Sequence, residues 1–347
     1  MNQELNPIGI SGIEFVEFTA PDVTFMHETF IELGFSRLKR YIKKDIAYYK
    51  QSDINFLLNN EPNGFAHNYA KAHGPSISSM GWKVQDAEFA FNEAVRRGAI
   101  AAEKTQTDMP YPAVFGIGDS LIYFIDWHGS KGSIFDKDFI EITDQCLVNG
   151  KGFTAIDHLT NNVHKGTMNI WTKFYKDIFG FTEIRYFDIR GVKTGLTSYA
   201  LCSPDGSFSI PINEGDESES QIEEYLREYN GPGIQHIALL TDDILDSLDA
   251  LEGSATETLD IDQKYYWTVF DRFPDISMQR RLKIIHHNVL IDGDEEKSLL
   301  QVFTKNLFGP IFFEIIQRNG CLGFGEGNFQ ALFESIERNQ KSRPLYA

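Results

Sequence analysis

Cysteine is rare in this sequence, and no long apolar segment is present. The three cysteines, Cys146, Cys202 and Cys321, are widely spaced and odd in number. This pattern argues against a disulfide framework and predicts a reducing, cytoplasmic setting. The longest uninterrupted apolar runs, such as residues 121–125, are far too short to cross a bilayer. Residues 1–9 have neither a basic start nor an apolar core, so we expect no secretory signal.

Positive charge is also scarce. The chain has 32 Lys and Arg against 50 Asp and Glu, which gives a formal net charge of -18. A protein this acidic repels phosphate backbones and anionic lipid headgroups, so we expect neither nucleic acid nor a membrane surface as a partner. An anionic small molecule would need a local cation to attract it, and a bound metal ion could supply that charge.

Several common functional motifs are missing. The sequence has no HExxH pair, no cysteine pairs at zinc-finger spacing and no serine at a nucleophile elbow. The glycines of residues 323–327 (GFGEG) do not have the spacing of a dinucleotide-binding loop. We therefore predict none of these four kinds of site.

The chain is long enough for two domains. Its 347 residues are 42% hydrophobic and 24% charged, which is typical of a folded globular protein. One plan recurs four times: an apolar strand, an amphipathic stretch and a glycine. The repeats begin at the strands Gly12–Thr19, Met80–Val84, Ala155–Thr160 and Ile234–Leu240. A strand, a helix ending at glycine and further strands predict a βαβββ module.

Four such modules predict an α+β protein in which pairs of modules form curled mixed sheets with pockets in their concave faces. We place the domains at residues 1–150 and 151–347, with the seam between Ser133 and Gly152. Residues 80–86 align without a gap over residues 236–242. We expect the acidic residues 214–224 to form an exposed loop that leads into a helix.

Two histidines and one glutamate occupy comparable places in the repeats. His158 lies on the first strand of the third module, and His236 on the first strand of the fourth. Glu314 lies in the apolar strand Ile311–Ile316, where a carboxylate is costly to bury without a cation. Both intervals between these residues are 78 positions. Two imidazoles and one carboxylate make a facial triad, which leaves open positions suited to Fe(II) oxygen chemistry.

The N-terminal half serves as an internal control. Its positions matching the triad are predicted to be Phe15, Met80 and Phe124, which cannot bind a hard divalent metal. We therefore expect an N-terminal domain of the same architecture without a metal site. His286 and His287 are expected to point to opposite faces of a strand and so not to share a metal ion.

The C-terminal motifs resemble those of the 4-hydroxyphenylpyruvate dioxygenase family, in family order. The matching segments are Asp157–Val163, Pro211–Glu214, Gly231–Leu239, Leu300–Phe303, Phe313–Arg318 and Gly323–Phe329. The N-terminal half is similar more loosely, through Gly12–Thr19 and Leu33–Phe35.

This resemblance implies the vicinal-oxygen-chelate fold of the glyoxalase, bleomycin-resistance and dioxygenase proteins. It implies one Fe(II) per chain, held by His158, His236 and Glu314. The implied reaction converts 4-hydroxyphenylpyruvate and O2 to homogentisate and CO2, through oxidative decarboxylation, ring hydroxylation and side-chain migration, in tyrosine and phenylalanine catabolism. A cytoplasmic homodimer or homotetramer is implied as well.

The resemblance also implies a substrate pocket. Its polar contacts match Ser198, Asn213, Gln221, Gln235, Gln301 and Asn328, of which Asn213, Gln235 and Gln301 are the predicted catalytic residues. Its aromatic flank matches Phe303, Phe324 and Phe329, and its wall Pro211. Residues 327–338 are predicted to form an amphipathic lid helix with Phe329 and Phe333 on one face. Core packing of each phenylalanine and structural hydrogen bonding of each amide are the alternatives, and for Phe333 we favour core packing.

Three other functions share parts of this pattern. A 4-hydroxymandelate synthase oxidises the benzylic carbon instead of the ring, and an aliphatic residue at position 329 would have favoured it. An extradiol catechol dioxygenase also uses two histidines and a glutamate on this fold, but its own motifs are not evident. A metal-free binding module of the same fold would carry the triad without using it.

Overall fold

The computed structural model describes residues 5–190, 195–217, 220–294 and 296–342. Residues 1–4 of the segment examined for a secretory signal, and residues 218–219 of the acidic stretch, lie outside the described residues. No described helix is both long and apolar enough to span a membrane.

Two mixed sheets account for the described strands. In the first sheet the order is β6-β7-β8-β5-β1-β4-β3-β2-β9. These strands are β1 (Ile10–Thr19), β2 (Ser36–Tyr41), β3 (Ile46–Gln51), β4 (Ile54–Asn59), β5 (Ser76–Val84), β6 (Ala101–Ala102), β7 (Ala113–Phe115), β8 (Leu121–Ile125) and β9 (Phe139–Cys146).

The second sheet follows the same plan, with the order β11-β12-β13-β10-β14-β17-β16-β15. Its strands are β10 (Phe153–Val163), β11 (Thr182–Arg190), β12 (Gly195–Cys202), β13 (Ser209–Gly215), β14 (Gly233–Thr241), β15 (Leu290–Gly293), β16 (Ser298–Phe303) and β17 (Phe312–Asn319). In each sheet the first strands of two modules pair antiparallel, β1 with β5 and β10 with β14. The predicted four βαβββ modules are thus confirmed.

Helices connect the strands and lie mainly against one face of each sheet, whereas the helices Ile134–Lys137 and Phe329–Ser342 contribute residues to the opposite face. They are α1 (Thr24–Glu32), α2 (Phe65–His73), α3 (Ala87–Arg96), α4 (Ile134–Lys137), α5 (Met168–Phe179), α6 (Gln221–Glu228), α7 (Ile244–Leu251), α8 (Gln263–Arg272), α9 (Met278–His286) and α10 (Phe329–Ser342). The glycines predicted to follow the module helices all have positive φ, as at Gly180, where a left-handed residue ends α5.

The two faces of each sheet have different roles. We call the face that packs against the helices the helix-packed face and the opposite face the inner face. Helix-packed residues from both halves form one continuous core, in which Phe18 lies 5.7 Å from Phe308 and Trp82 lies 4.9 Å from Phe179, measured between ring centroids. The division at residue 150 stays a prediction, which the change of sheet between β9 and β10 supports.

One local prediction is wrong. His286 and His287 do not lie on a strand, because α9 runs to His286 and His287 follows as its C-cap residue. The apolar residues of this segment, such as the buried Ile284, follow a helical rather than an alternating pattern. The expectation that the two side chains diverge across a sheet therefore fails.

Candidate metal centre

Three neighbouring central strands carry the predicted ligands. His158 lies on β10, His236 on β14 and Glu314 on β17. His158 and Glu314 both pair with Ala238, from opposite sides of β14. His236 precedes Ala238 by two residues and so projects from the same face. All three side chains therefore meet on the inner face, above a small residue.

The three side chains are close enough to share one ion. Nε2 of His158 lies 3.1 Å from Oε2 of Glu314, and Nε2 of His236 lies 3.6 Å from the same oxygen. All three residues are buried, and their ligand atoms lie within 4.8 Å of one another. Ligands that each sit about 2.1 Å from one metal ion are roughly 3 Å apart. The arrangement therefore fits three ligands on one side of an ion.

The charges of the site also fit a cation. Burial by itself would lower the pKa of His158, but Glu314 and Asp157 outweigh it and raise that pKa to about 9. Burial, and then the neighbouring His158, lowers the pKa of His236 well below its usual value. The carboxylates thus favour positive charge between the rings, while His236 offers a neutral lone pair. Two imidazoles and a carboxylate form the donor set of non-haem iron sites.

A second layer of hydrogen bonds fixes His158. Nδ1 of His158 lies 2.7 Å from Oδ2 of Asp157. Arg318 donates to both oxygens of Asp157, from Nε at 2.6 Å and from Nη2 at 2.8 Å. Arg318 also donates from Nη1 to the carbonyl oxygens of Cys321 and Gly323. A carboxylate behind a ligating histidine sets the orientation of the ring, and here the same guanidinium reaches the loop before α10.

The other two ligands have amide partners. Nε2 of Gln301 donates to Oε1 of Glu314 at 2.9 Å and to the carbonyl oxygen of Phe324 at 3.1 Å. Oε1 of Gln235 lies 3.1 Å from Nδ1 of His236. The pairing of β10 with β14 skips Gln235, so this residue forms a β-bulge. A bulge re-aims a side chain, which explains how two consecutive residues both reach the pocket.

A cavity of about 100 Å³ lies over the three ligands. Its lining is mostly apolar, and the described lining residues include no Lys or Arg. They are His158, Thr160, Phe187, Leu196, Ser198, Pro211, Asn213, Gln221, Gln235, His236, Gln301, Phe303, Phe312, Glu314, Phe324, Phe329, Leu332, Phe333 and Ile336. Within this lining, negative charge on a ligand would have to be balanced at the metal position.

The structure brings nearly all the predicted pocket residues together. The predicted polar residues other than Asn328, the predicted phenylalanines and Pro211 all line the cavity. Asn328 lies one layer behind, where it donates to Oε1 of Gln301 at 3.0 Å and accepts from Tyr265 at 2.8 Å. Phe333 is 3% exposed and both lines the cavity and belongs to the core. The roles of these residues stay predictions.

Seven lining residues were not predicted as site residues: Thr160, Phe187, Leu196, Phe312, Leu332, Phe333 and Ile336. Phe312 was detectable, because it precedes Glu314 by two positions on one strand, and its ring stacks on His236 at 4.7 Å. Leu332 and Ile336 were also detectable, since they follow Phe329 at helical spacing. Phe187 reaches the cavity from a strand far away in sequence, where it meets Phe329 at 5.1 Å, and no local pattern indicates this.

The predicted N-terminal counterparts need a correction. Phe15 pairs with Gly81 as His158 pairs with Ala238, so that match holds. In the same register, Ser79 occupies the position in the first half that His236 occupies in the second, and Tyr123 occupies the position of Glu314. Met80 and Phe124, the predicted counterparts, belong to the helix-packed core. A shift of one residue along a strand moves a side chain to the other face.

The positions of two helix N-caps explain why the alignment of the modules was wrong by one residue. Asp86 caps α3 by accepting from the amide of Phe89, and Asp243 caps α7 by accepting from the amides of Leu245 and Asp246. The gapless alignment placed residue 86 over residue 242, whereas the capping aspartate is residue 243. Asp242 and Asp243 are consecutive, so the sequence alone does not show which of them corresponds to Asp86.

Comparison with known proteins identifies relatives over the whole chain. A family model described as "Hydroxyphenylpyruvate dioxygenase, HPPD, N-terminal" matches residues 5–140. A model of the Glyoxalase/Bleomycin resistance protein/Dioxygenase superfamily matches residues 155–275. The chain is 61% identical to Protein MelA of Shewanella colwelliana over 344 residues, which cover 99% of each chain. It is 45% identical to 4-hydroxyphenylpyruvate dioxygenase of Legionella pneumophila (strain Corby) over 350 residues, 98% of each chain.

A solved structure is also similar to this chain in its three-dimensional fold. A xylose isomerase-like TIM barrel/4-hydroxyphenylpyruvate dioxygenase fusion protein superposes with a TM-score of 0.82 at 28% identity. The superposition covers 95% of this chain and 53% of that longer protein. The similarity therefore extends across both sheets.

Proposed function

This chain belongs to the 4-hydroxyphenylpyruvate dioxygenase family, and we propose that it binds one Fe(II) through His158, His236 and Glu314. It is a dioxygenase with the vicinal-oxygen-chelate fold that converts 4-hydroxyphenylpyruvate and O2 to homogentisate and CO2, in the breakdown of tyrosine and phenylalanine. The observation that carries the metal assignment is the buried triad at the base of an apolar cavity.

His158, His236 and Glu314 would hold the metal. Fe(II) bound there would supply a centre at which a 2-oxo acid and O2 could react with one another. The substrate is itself the reductant, so no second cofactor is required. The protein's contribution is to hold the three ligands, to orient the substrate and to keep water out.

Neutral polar groups orient the substrate in this proposal. Ser198 and Asn213 are paired on neighbouring strands, and Nδ2 of Asn213 donates to Oδ1 of Asn162 at 3.3 Å. This bond directs the amide and leaves the carbonyl oxygen of Asn213 to accept from a ligand. Gln221, Gln235 and the Ser198 hydroxyl add uncharged donors and acceptors, which suit a phenol that must be positioned without being ionised.

Aromatic rings hold the substrate ring. Phe324 lies 5.4 Å from His158, edge-on, and Phe329 meets Phe187 edge-on at 5.1 Å. Phe303 completes the flank near His236 at 6.4 Å. A flat aromatic ligand between such rings has few orientations, so its reacting carbon stays directed at the metal position.

The last helix closes the cavity. One face of α10 presents Phe329, Leu332, Phe333 and Ile336 to it. An apolar lid excludes water from a reactive centre and strengthens the electrostatic interactions inside it. Gln301 joins this lid to the triad, since it binds Glu314, Phe324 and Asn328 at the same time.

We propose further that the enzyme works in the cytoplasm as a homodimer or homotetramer. The three cysteines, all described, are free thiols, which suits a reducing compartment. Light scattering on the purified protein gives its molar mass and so the number of chains in the assembly.

The experiment that tests the function is anaerobic loading with Fe(II), followed by oxygen uptake with 4-hydroxyphenylpyruvate and identification of the aromatic product. We expect homogentisate with a matching release of CO2. Formation of 4-hydroxymandelate would assign the synthase activity instead. Uptake with catechols but not with the 2-oxo acid would assign an extradiol dioxygenase.

A further inference from the structure

A second group of metal-ligating side chains lies outside the cavity, where α7 meets α9. In the part of the chain that the structure describes, two groups of at least three His, Cys, Asp or Glu residues bring their ligand atoms within 4.8 Å of one another. One is the triad of the candidate centre, and the other is Glu252, His286 and His287. The second group requires its own explanation, because the dioxygenase reaction does not use it.

The two helices are joined by a ladder of acid–base pairs. Asp243 pairs with Arg280 at 3.6 Å, and Asp249 pairs with Lys283 further along both helices. Lys and Arg have no lone pair for a metal at neutral pH, so these two rungs are ordinary ion pairs.

The last rung is built differently, because imidazoles replace the basic side chains. Nε2 of His286 lies 2.9 Å from Oε1 of Glu252, and Nε2 of His287 lies 2.7 Å from Oδ1 of Asp249. The two imidazole rings are 4.7 Å apart between centroids. Imidazole nitrogens and carboxylate oxygens are the ligands that zinc and related ions prefer.

The end of α9 allows two consecutive histidines to converge. His287 has a φ of -92° and a ψ of 8°, and Asn288 has a φ of 57°, so the chain leaves the helical path at this point. His287 is 9% exposed and anchored by Asp249, whereas the side chains of His286 and Glu252 are 67% and 57% exposed. One ligand is therefore fixed, and the other two are open to ions from solvent.

We propose that Glu252, His286 and His287 bind a divalent transition-metal ion of the Zn²⁺ class, with Asp249 orienting His287. The distance from Nε2 of His286 to Oε1 of Glu252, 2.9 Å, is close to the shorter nitrogen–oxygen distance of the triad, 3.1 Å. The 2.7 Å contact of His287 with Asp249 matches the 2.7 Å contact of His158 with Asp157. A net charge of -18 draws cations to the surface. The bound ion links α7, which follows the His236 strand, to α9, and so adds a clamp at the edge of the catalytic half.

The test is a Zn²⁺ titration of the metal-free full-length protein, with bound metal measured after equilibrium dialysis. We expect two Zn²⁺ per wild-type chain and one in His286→Lys. This substitution keeps the ion pair with Glu252 but removes the lone pair, so it separates metal binding from simple charge pairing. The matched control, His164→Lys, changes an exposed histidine outside both groups and should still bind two.

A second measurement isolates the new site. His236→Ala disrupts the triad, so its remaining Zn²⁺ should raise the melting temperature by roughly 2–6 °C near saturation. Adding His286→Lys to this variant should abolish the rise. Equal Zn²⁺ in wild type and His286→Lys, or no rise in the melting temperature of His236→Ala with Zn²⁺, would overturn the proposal. Neither result depends on dioxygenase activity, so the proposal and the enzymatic assignment fail separately.

Discussion

The two halves of the molecule share one scaffold and fill its inner face in opposite ways. Each has an antiparallel central pair of strands with a bulge at the same place, at Ser78 in the first half and at Gln235 in the second. The matching positions are Phe15 and His158, Ser79 and His236, and Tyr123 and Glu314. The scaffold therefore does not make a metal site by itself, since the same three positions can equally belong to a core.

The phenyl ring of Phe15 shows why the first half has no space for a metal at this position. It lies over Gly81, where an added Cβ would come within 2.4 Å of the ring. In the second half the corresponding Ala238 leaves room for His158 and Glu314 on either side. Tyr123, 6.0 Å from Phe15, fills the place of the carboxylate.

The first half also retains a buried polar group beside these rings. Glu17 is fully buried and accepts hydrogen bonds from Ser79 at 2.5 Å and from Asn59 at 2.8 Å. Asn59 occupies the register position of Asn213 in the second half. Amide and hydroxyl donors thus stabilise an acid in one half, whereas their counterparts, Asn213 and His236, line the cavity in the other.

The largest expected effect comes from breaking the triad. His236→Ala and Glu314→Ala should reduce oxygen uptake with 4-hydroxyphenylpyruvate to background, because each leaves only two of the three ligands for the ion. Circular dichroism should show that both variants remain folded. Oxygen uptake near the wild-type rate in either variant would contradict the ligand assignment.

Phe15→Ala changes the corresponding position in the first half and should act on stability instead. Truncating a buried phenylalanine costs about 3–5 kcal/mol, because it removes contacts and leaves a cavity. Urea unfolding measures the loss, and iron content per folded chain should not change. Loss of iron at unchanged stability would mean that the halves do not divide these roles.

Glu17→Gln tests the buried acid of the first half through the pH dependence of stability. Burial, and then Asp108, raises the pKa of Glu17 from 4.5 to about 7. The folded chain therefore keeps a proton that the unfolded chain releases, so stability falls as pH rises from about 4.5 to about 7 and stays reduced above that. Glutamine cannot titrate, so the variant lacks this loss of stability. Its free energy of unfolding at pH 8 should exceed that of wild type by up to about 3 kcal/mol.

Urea unfolding at pH 4.5 and pH 8 checks the Glu17 prediction. Glu28→Gln, at an exposed glutamate, is the control and should follow wild type at both values. If the free energies of unfolding of Glu17→Gln and wild type differ by the same amount at both pH values, Glu17 does not titrate between pH 4.5 and pH 8.

Arg318→Lys should give the smallest effect. Lysine cannot reproduce the two-pronged contact with Asp157, so the ring of His158 is held less firmly. Loss of such an outer partner typically weakens metal binding by about 10–100-fold. Competition with a chelator measures the affinity, and Arg96→Lys, at an exposed arginine, should leave it unchanged.

The sequence predicts the triad because regular strands repeat every two residues. His158 and His236 lie on the first strands of their modules, and the apolar surroundings of Glu314, on the last strand, indicate a cation. The same reasoning failed at Met80 and Phe124, because the repeats were aligned one residue out of register, and a shift of one residue places a side chain on the other face of the strand. Phe187 and the Arg318–Asp157 contact could not be predicted, since they join segments distant in sequence whose meeting depends on the complete sheet.

The most direct test is anaerobic Fe(II) binding measured by equilibrium dialysis in two proteins, His286→Lys and the double variant His236→Ala, His286→Lys. Both carry His286→Lys so that the proposed surface group contributes no ion. We expect one Fe(II) per chain in the first protein and none in the second. Equal iron in the two would contradict the claim that three side chains separate the catalytic half from its packed counterpart.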